Sequence, residues 1–256
     1  MSRGVSRSCQ VLAAPGRKRR GAPAWLPARA CYPAGMNPGP IAPATLPGIG
    51  RVIVSEACLA EGADWLATRE PRFADAIRLA GPLPLRLRED GFPALLDAIV
   101  SQQVSVAAGD AIWRRLEAAG LTRPGALAAA SDEDLRACGL SRQKARYARA
   151  LAAAELDFAA LRAMPTDEVV ARLVLLPGIG QWTAEIYAMF SLGRADVFAP
   201  GDLALQEAAR LLFGLEARPP ERQLRAMAED WSPWRGVAAR LLWAYYKVAK
   251  SREGIR

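Results

Sequence analysis

The sequence predicts an all-α fold, and three observations carry that prediction. Apolar residues recur at three- and four-residue spacing through most of 55–250. Strand-like alternation is nearly absent, and the RVIV run at 51–54 is too short to carry a sheet. Capping residues and breakers fall at the edges of the periodic segments.

Taken in order, Ser55 caps a segment reaching 68, and 92–103 has apolar residues at helical spacing. A segment at 104–119 follows, closed by Gly120. Ser131, with Asp134 three residues on, begins a short helix closed by Gly139. The series is completed by 141–156, 166–175, 181–191, 202–213, 220–231 and 233–250. Ahead of these, residues 1–50 are rich in Pro, Gly, Ala and Arg without periodicity and read as a disordered basic tail, leaving 51–256 as the helical domain. Met36 offers an alternative start within that tail, and the RKRR run at 17–20 offers a tether to DNA.

A chain of 256 residues, 52% hydrophobic, is long enough for one domain or two small ones with a sizeable core. No apolar run approaches the roughly 20 residues of a membrane span, and the basic N-terminus lacks the apolar stretch of a secretory signal. A soluble, cytoplasmic protein with no membrane partner is expected. The net charge of +8 suggests nucleic acid, but seven of the 34 basic residues and none of the 26 acids lie in 1–50. The folded part therefore carries 27 bases against 26 acids, and any phosphate binding there must come from local geometry. Histidine is absent, which excludes Ser-His-Asp and Cys-His machinery and imidazole zinc sites. The cysteines at 9, 31, 58 and 138 form no CxxC pair, so neither a disulfide framework nor a four-cysteine cluster is expected. What chemistry there is must run on carboxylates, hydroxyls, aromatics or backbone groups.

The most informative stretch is LVLLPGIGQWTAEIYAMFSLGRADVFAPGDLAL at 173–205. Leu176-Pro177-Gly178-Ile179-Gly180 breaks one amphipathic helix and starts another, making a hairpin of 166–191. Two glycines two apart let the backbone turn tightly and approach a ligand, and amides at the start of the next helix suit a phosphate. An ordinary αα-hairpin turn is the competing reading. A second LPGIG at 46–50 follows a Pro-rich stretch with no helix before it and is taken as coincidence. Twenty-two residues after Gly180 comes Asp202, placed by Pro200 and Gly201 at the start of another helix. By itself such an aspartate is most often an N-cap.

LPGIGQWTAEI, DVFAPGDLALQ and WSPWRGVAARLLW, in that order and spacing, resemble the helix-hairpin-helix DNA glycosylase superfamily, and within it the 3-methyladenine DNA glycosylase II branch. IVSQQVSVAAGDAIWRRL at 99–116 and GLSRQKARYARALA at 139–152 resemble the same branch, so that the likeness covers roughly 70–250. It implies two helical subdomains with a helix-hairpin-helix motif and an active-site cleft between them. It implies base excision from damaged double-stranded DNA, with Asp202 as the catalytic carboxylate and alkylated purines such as 3-methyladenine and 7-methylguanine as substrates. A nucleoid-associated bacterial enzyme acting as a monomer fits the resemblance.

By the same resemblance, Trp182, Trp243, Ile186 and Leu203 are base-pocket positions, the last two standing where the branch has tyrosines. Trp182, Trp243 and Trp234 would offer flat faces to a cationic base, whereas Trp231 reads as core. Gln102 and Gln103 stand at the family's intercalating position, beside a second reading as two exposed helix glutamines. Gly178, Gly180 and Thr183 are the hairpin's DNA contacts. The backbone carbonyls of Val174, Leu176 and Ile179 would hold a monovalent cation, Na+ or K+; no cofactor is required. The departures matter equally. Trp182 stands where strand-cleaving members carry a lysine, so no Schiff base is expected. No cysteine follows Cys138, so the iron–sulfur cluster of many relatives is not expected. Residues 1–70 do not match the N-terminal β-domain of well-known bacterial members. Two other readings stay open: a non-catalytic DNA-binding module in which Asp202 is merely a cap, and a same-fold glycosylase with lyase activity or another lesion.

Overall fold

The computed structural model describes residues 45–46 and 48–253. A two-residue antiparallel pair, β1 (Thr45–Leu46) and β2 (Gly50–Arg51), leads into α1 (Glu56–Arg69), α2 (Pro71–Ala80), α3 (Phe92–Val100), α4 (Val106–Ala118) and α5 (Pro124–Ala129). There follow α6 (Asp132–Ala137), α7 (Arg142–Ala153), α8 (Phe158–Ala163), α9 (Thr166–Leu173), α10 (Gln181–Phe190), α11 (Leu203–Phe213), α12 (Glu221–Ala228) and α13 (Arg235–Glu253). The fold is all-α. Among the described residues no helix is long and apolar enough to cross a membrane.

Two separate apolar cores make the two subdomains. One gathers Leu59 and Leu66 of α1, Phe73 of α2, Leu205 and Leu212 of α11, Leu224 of α12 and Leu241 of α13. The other is built from α3 through α9, with Leu95, Leu116, Leu127, Leu135, Leu151 and Leu173 inside. Helix α10 serves both: Ala184 and Tyr187 enter the second core, while Ala188, Met189 and Phe190 enter the first. Its sequence explains this, because a helix apolar around its circumference is stable only when covered on several sides. At the far end of α10, Arg194 (1% exposed) donates Nη2 to the Arg162 and Met164 carbonyls, both at 2.8 Å, and so locks the two subdomains together. The cavity of about 330 Å³ at this seam is lined by Val52, Arg88 and Arg162, away from the hairpin end of α10.

Several sequence expectations are refined here. Residues 1–44, the bulk of the predicted tail, lie outside the described residues, but its last part includes a short antiparallel pair, Leu46 of β1 facing Gly50 of β2, with a turn at 48–49. Helix α3 stops at Val100 instead of 103, and α4 starts at Val106, where Ser105 Oγ accepts the Ala108 amide at 3.2 Å. Gln103 breaks the run with a left-handed φ of 55°. Helices α2, α5 and α8 were not expected; two of them open on a proline, and α8 is capped by Asp157. The Ser131–Asp134 pair forms a reciprocal capping box, and Ser55 caps α1.

Candidate active site

The hairpin joins α9 to α10 through two successive turns, Leu176 N–H to the Leu173 carbonyl (3.1 Å) and Ile179 N–H to the Leu176 carbonyl (3.0 Å). Its two glycines have different reasons to be there. Gly178 has φ 89°, and a Cβ on it would lie 2.5 Å from the Tyr147 ring of α7. Gly180 has φ −87°, and a Cβ there would meet nothing within 4 Å. The first glycine is thus required by the turn and by Tyr147, and the second faces open space. No side chain caps α10, so the amides of its first turn have no intrahelical acceptor and point out of the helix end.

Twelve residues beyond α10, the chain turns through Pro200 and Gly201 and delivers Asp202 to the head of α11. Asp202 N–H donates to the Ala199 carbonyl at 3.0 Å, and Gln206 Nε2 holds the Pro200 carbonyl at 2.9 Å. The Asp202 carboxylate is 5% exposed and accepts four N–H groups. Oδ1 takes the Ala204 and Leu205 amides, each at 2.9 Å, and Trp243 Nε1 at 3.2 Å. Oδ2 takes Trp182 Nε1 at 3.0 Å. A carboxylate oxygen has about two lone pairs, so Oδ1 is saturated and Oδ2 retains capacity for one further partner. The N-cap expected of such an aspartate is present, and the same group anchors a constellation drawn from α10, α11 and α13. Capping and chemistry share one side chain.

The structure thus brings together Asp202, Trp182 and Trp243, and it corrects how the two indoles are used. Their N–H edges point at the carboxylate instead of merely presenting faces to a base, and one face of Trp243 is covered by Phe190, at 5.8 Å between ring centroids. Trp234 is not in this group: it packs against Gly62 in the first core with Arg51 over its ring at 4.8 Å. Trp231 is core, edge-on to Phe73 and Phe198. Ile186 lies one turn after Trp182 and packs on the first core, whereas Leu203 is 64% exposed beside Asp202. Thr183 lies in the first turn of α10 and is 8% exposed. The two glutamines separate: Gln102 Nε2 donates to the Gly178 carbonyl at 2.8 Å, and Gln103 is exposed.

Three supporting groups escaped sequence reasoning. Phe190 stacks on Trp243 and also meets the Arg240 guanidinium, which sits 4.5 Å from its centroid. Burial pushes Arg240 down to about 9, still charged at neutral pH, and the side chain is spent on the Gly236 and Met189 carbonyls. Glu185, 3% exposed, accepts Gln181 Nε2 (2.9 Å) and Arg225 (3.2 Å), and burial holds its carboxyl above the ordinary value against these hydrogen bonds. Arg225 also pairs with Glu221, whose carboxylate approaches the Cβ position of Gly201 at 3.4 Å. A lone acid in the apolar helix QWTAEIYAMF, and a lone arginine three residues before Trp243, were the available signals.

Known proteins are similar to this chain in sequence and fold. The chain is 26% identical over 195 residues to an alkylbase DNA glycosidase-like protein, mag2, of Schizosaccharomyces pombe, covering 72% of this chain and 92% of that one. A DNA-3-methyladenine glycosidase from Bacillus halodurans superposes with a TM-score of 0.67 at 34% identity, covering 72% of this chain and 88% of the other. The 3-methyladenine DNA glycosylase of S. pombe, solved in complex with abasic DNA, gives 0.62 at 27% identity, with 72% and 95% covered. The model of the HhH-GPD superfamily of base excision DNA repair proteins matches residues 96–233, from the second core through Asp202 to the start of α13, and the chain belongs to that superfamily.

Proposed function

We propose that this protein is a monofunctional glycosylase that removes N-alkylated purines, 3-methyladenine and 7-methylguanine among them, from double-stranded DNA and leaves an abasic site. The observation that carries the reading is the Asp202 carboxylate, buried at a helix head and held by four N–H donors. A glycosidic bond cannot be reached inside a duplex, so the nucleotide must be flipped out at a cost of a few kcal/mol. The hairpin amides take a backbone phosphate, and Gln103 enters the gap left by the base. An N-alkylated purine is already cationic. When its bond to C1′ breaks, the electron pair goes to the purine nitrogen and the base leaves neutral. The positive charge passes to the sugar as an oxocarbenium ion, which a fixed anion stabilises. Asp202 Oδ2 is the oxygen with capacity for that contact. Water then adds at C1′ and loses a proton, for which the same carboxylate is the available acceptor.

This chemistry needs no imidazole and no metal-bound water, in keeping with a chain that has no histidine. Trp182 in place of a lysine supports hydrolysis without strand cleavage. Lys144, on α7, gives its ammonium group to the Val100 carbonyl at 2.6 Å. The exposed Leu203 and the apolar Ile186 would read the shape of the base. The carbonyls of Val174, Leu176 and Ile179 would hold a monovalent cation beneath the hairpin. Among the described residues no backbone amide outside the regular helices donates to the Val174 or Ile179 carbonyl, which suits that role. Such an ion would draw these carbonyls together and rigidify the turn that meets the phosphate. The test is incubation with methylated duplex DNA and identification of released bases by mass spectrometry. Free 3-methyladenine and 7-methylguanine from an intact strand are expected; no base release would overturn the reading.

A further inference from the structure

The link between α3 and α4 and the hairpin between α9 and α10 are far apart in sequence, yet one side chain joins them. Gln102 reaches back from the link and donates to the carbonyl of Gly178 at 2.8 Å. Two further contacts hold the same assembly from α7. Lys144 Nζ donates at 2.6 Å to the carbonyl of Val100, the last residue of α3. Tyr147, one turn later, lies against Gly178 so closely that a Cβ there would come within 2.5 Å of its ring. Beneath the link, Gly109 of α4 leaves room for Ser101, whose Oγ would lie 3.3 Å from a Cβ at that position.

Within this frame the next residue, Gln103, is exposed and held at φ 55°, a conformation that non-glycine residues adopt only when their surroundings impose it. The link thus turns one glutamine inward to the hairpin and the other outward to solvent. Two adjacent residues of the same type do opposite things, and the hydrogen bond to Gly178 decides which is which.

We infer that Gln102 is a positioning residue that couples the phosphate-binding hairpin to Gln103, so that seating the hairpin on the DNA backbone sets where Gln103 enters the base stack. The inference rests on the proposed reading of this chain as a base-flipping glycosylase. Its physical content is a fixed distance. The carbonyl of Gly178 belongs to the turn whose following amides meet the phosphate, and the hydrogen bond from Gln102 leaves the outward residue one peptide away. Without that bond the hairpin and the outward glutamine can still each meet DNA, but no longer in a fixed relation. A displacement of about 1 Å at such a point is enough to cost up to a hundredfold in rate. The penalty falls on flipping and not on bond cleavage, so it must vanish when the base is already unpaired.

The experiment compares wild type, Gln102→Ala, Gln103→Ala and the double variant in single-turnover excision of 7-methylguanine. Each acts on the lesion paired with cytosine and on the same strand with the lesion opposite an abasic site. Gln102→Ala is expected to lose about tenfold to a hundredfold on the paired duplex and less than about threefold on the unpaired one. The thermal midpoint should fall only by what one lost hydrogen bond costs, and binding to undamaged duplex should weaken by less than the excision rate on the paired lesion falls. The double variant is expected to match Gln103→Ala, since a residue acting only through another adds nothing once that other is gone. Equal losses on both substrates would overturn the coupling, as would a double variant showing the sum of two independent losses. Wild type failing to release base from either substrate would instead overturn the proposed function.

Discussion

Asp202 does two jobs with two oxygens. Oδ1 is taken by the α11 amides and Trp243, and Oδ2 meets Trp182 with room left over. Trp182→Phe keeps the ring and removes one donor from a nearly buried charged acceptor, which should cost about 1.5–3 kcal/mol of stability, read from denaturant melts. Base release should fall with it, because Oδ2, the oxygen proposed to meet the sugar, loses the N–H that positions it. A variant of wild-type stability and rate would show that the indole N–H does not hold Asp202. Glu185 makes a different prediction. Its folded-state carboxyl lies above the ordinary value through burial, so its contribution favours the fold below the unfolded value and is lost as pH rises through the folded one. Glu185→Gln, facing Gln181 and Arg225 with Glu221 beyond, should therefore gain on wild type in thermal midpoint as pH rises above the ordinary glutamate range. A difference independent of pH would contradict this. Asp202 and its indole partners were legible as residue types from motif order. That the indoles donate to the carboxylate was not, because ring direction is set by tertiary packing, such as that of Trp243 on Phe190, which no local pattern marks.

At the scale of elements, the two hairpin glycines predict opposite outcomes. Gly178→Val places a β-branched residue at φ 89° and drives a methyl-bearing carbon into Tyr147, so it should destabilise by roughly 2 kcal/mol or more. Gly180→Val meets nothing inside the protein and should fold normally. It should nevertheless weaken binding to every DNA sequence alike, since a phosphate contact carries no base information. Melting curves and DNA titrations on the pair check both halves. An unchanged affinity for folded Gly180→Val would return the hairpin to the status of a plain turn. The long periodic helices and their caps were legible because each is set by neighbours in sequence, as Ser55, Ser131 and Asp134 show. The six-residue helices α5 and α8 are too short for a period to register, and α3 stops at Val100 instead of 103, where Lys144 takes the Val100 carbonyl and Gln102 the Gly178 carbonyl. The short β1–β2 pair was not legible because two-residue strands are too short for alternation to register, and the neighbouring bridge from Val52 reaches Arg194, remote in sequence.

At the scale of the whole molecule, two cores share one helix, and the functional constellation lies where α10, α11 and α13 meet. The charge balance past residue 50 is nearly even, so DNA recognition rests on geometry and not on a basic surface. If the protein is monofunctional, borohydride should trap no covalent adduct with a damaged duplex, and the strand should stay intact until alkali is added. An adduct at a native lysine would overturn that part of the account. The central claim, that a buried carboxylate with one oxygen held and the other still able to accept drives departure of a cationic purine, is tested most directly by one comparison. Single-turnover release of 7-methylguanine is measured for wild type and Asp202→Asn at saturating protein. Asparagine can still cap α11 through its carbonyl oxygen, though its amide then faces the Trp182 N–H, and DNA binding should persist. Base release slowed by at least about a hundredfold with the duplex still bound is the result expected; release at the wild-type rate would contradict the account.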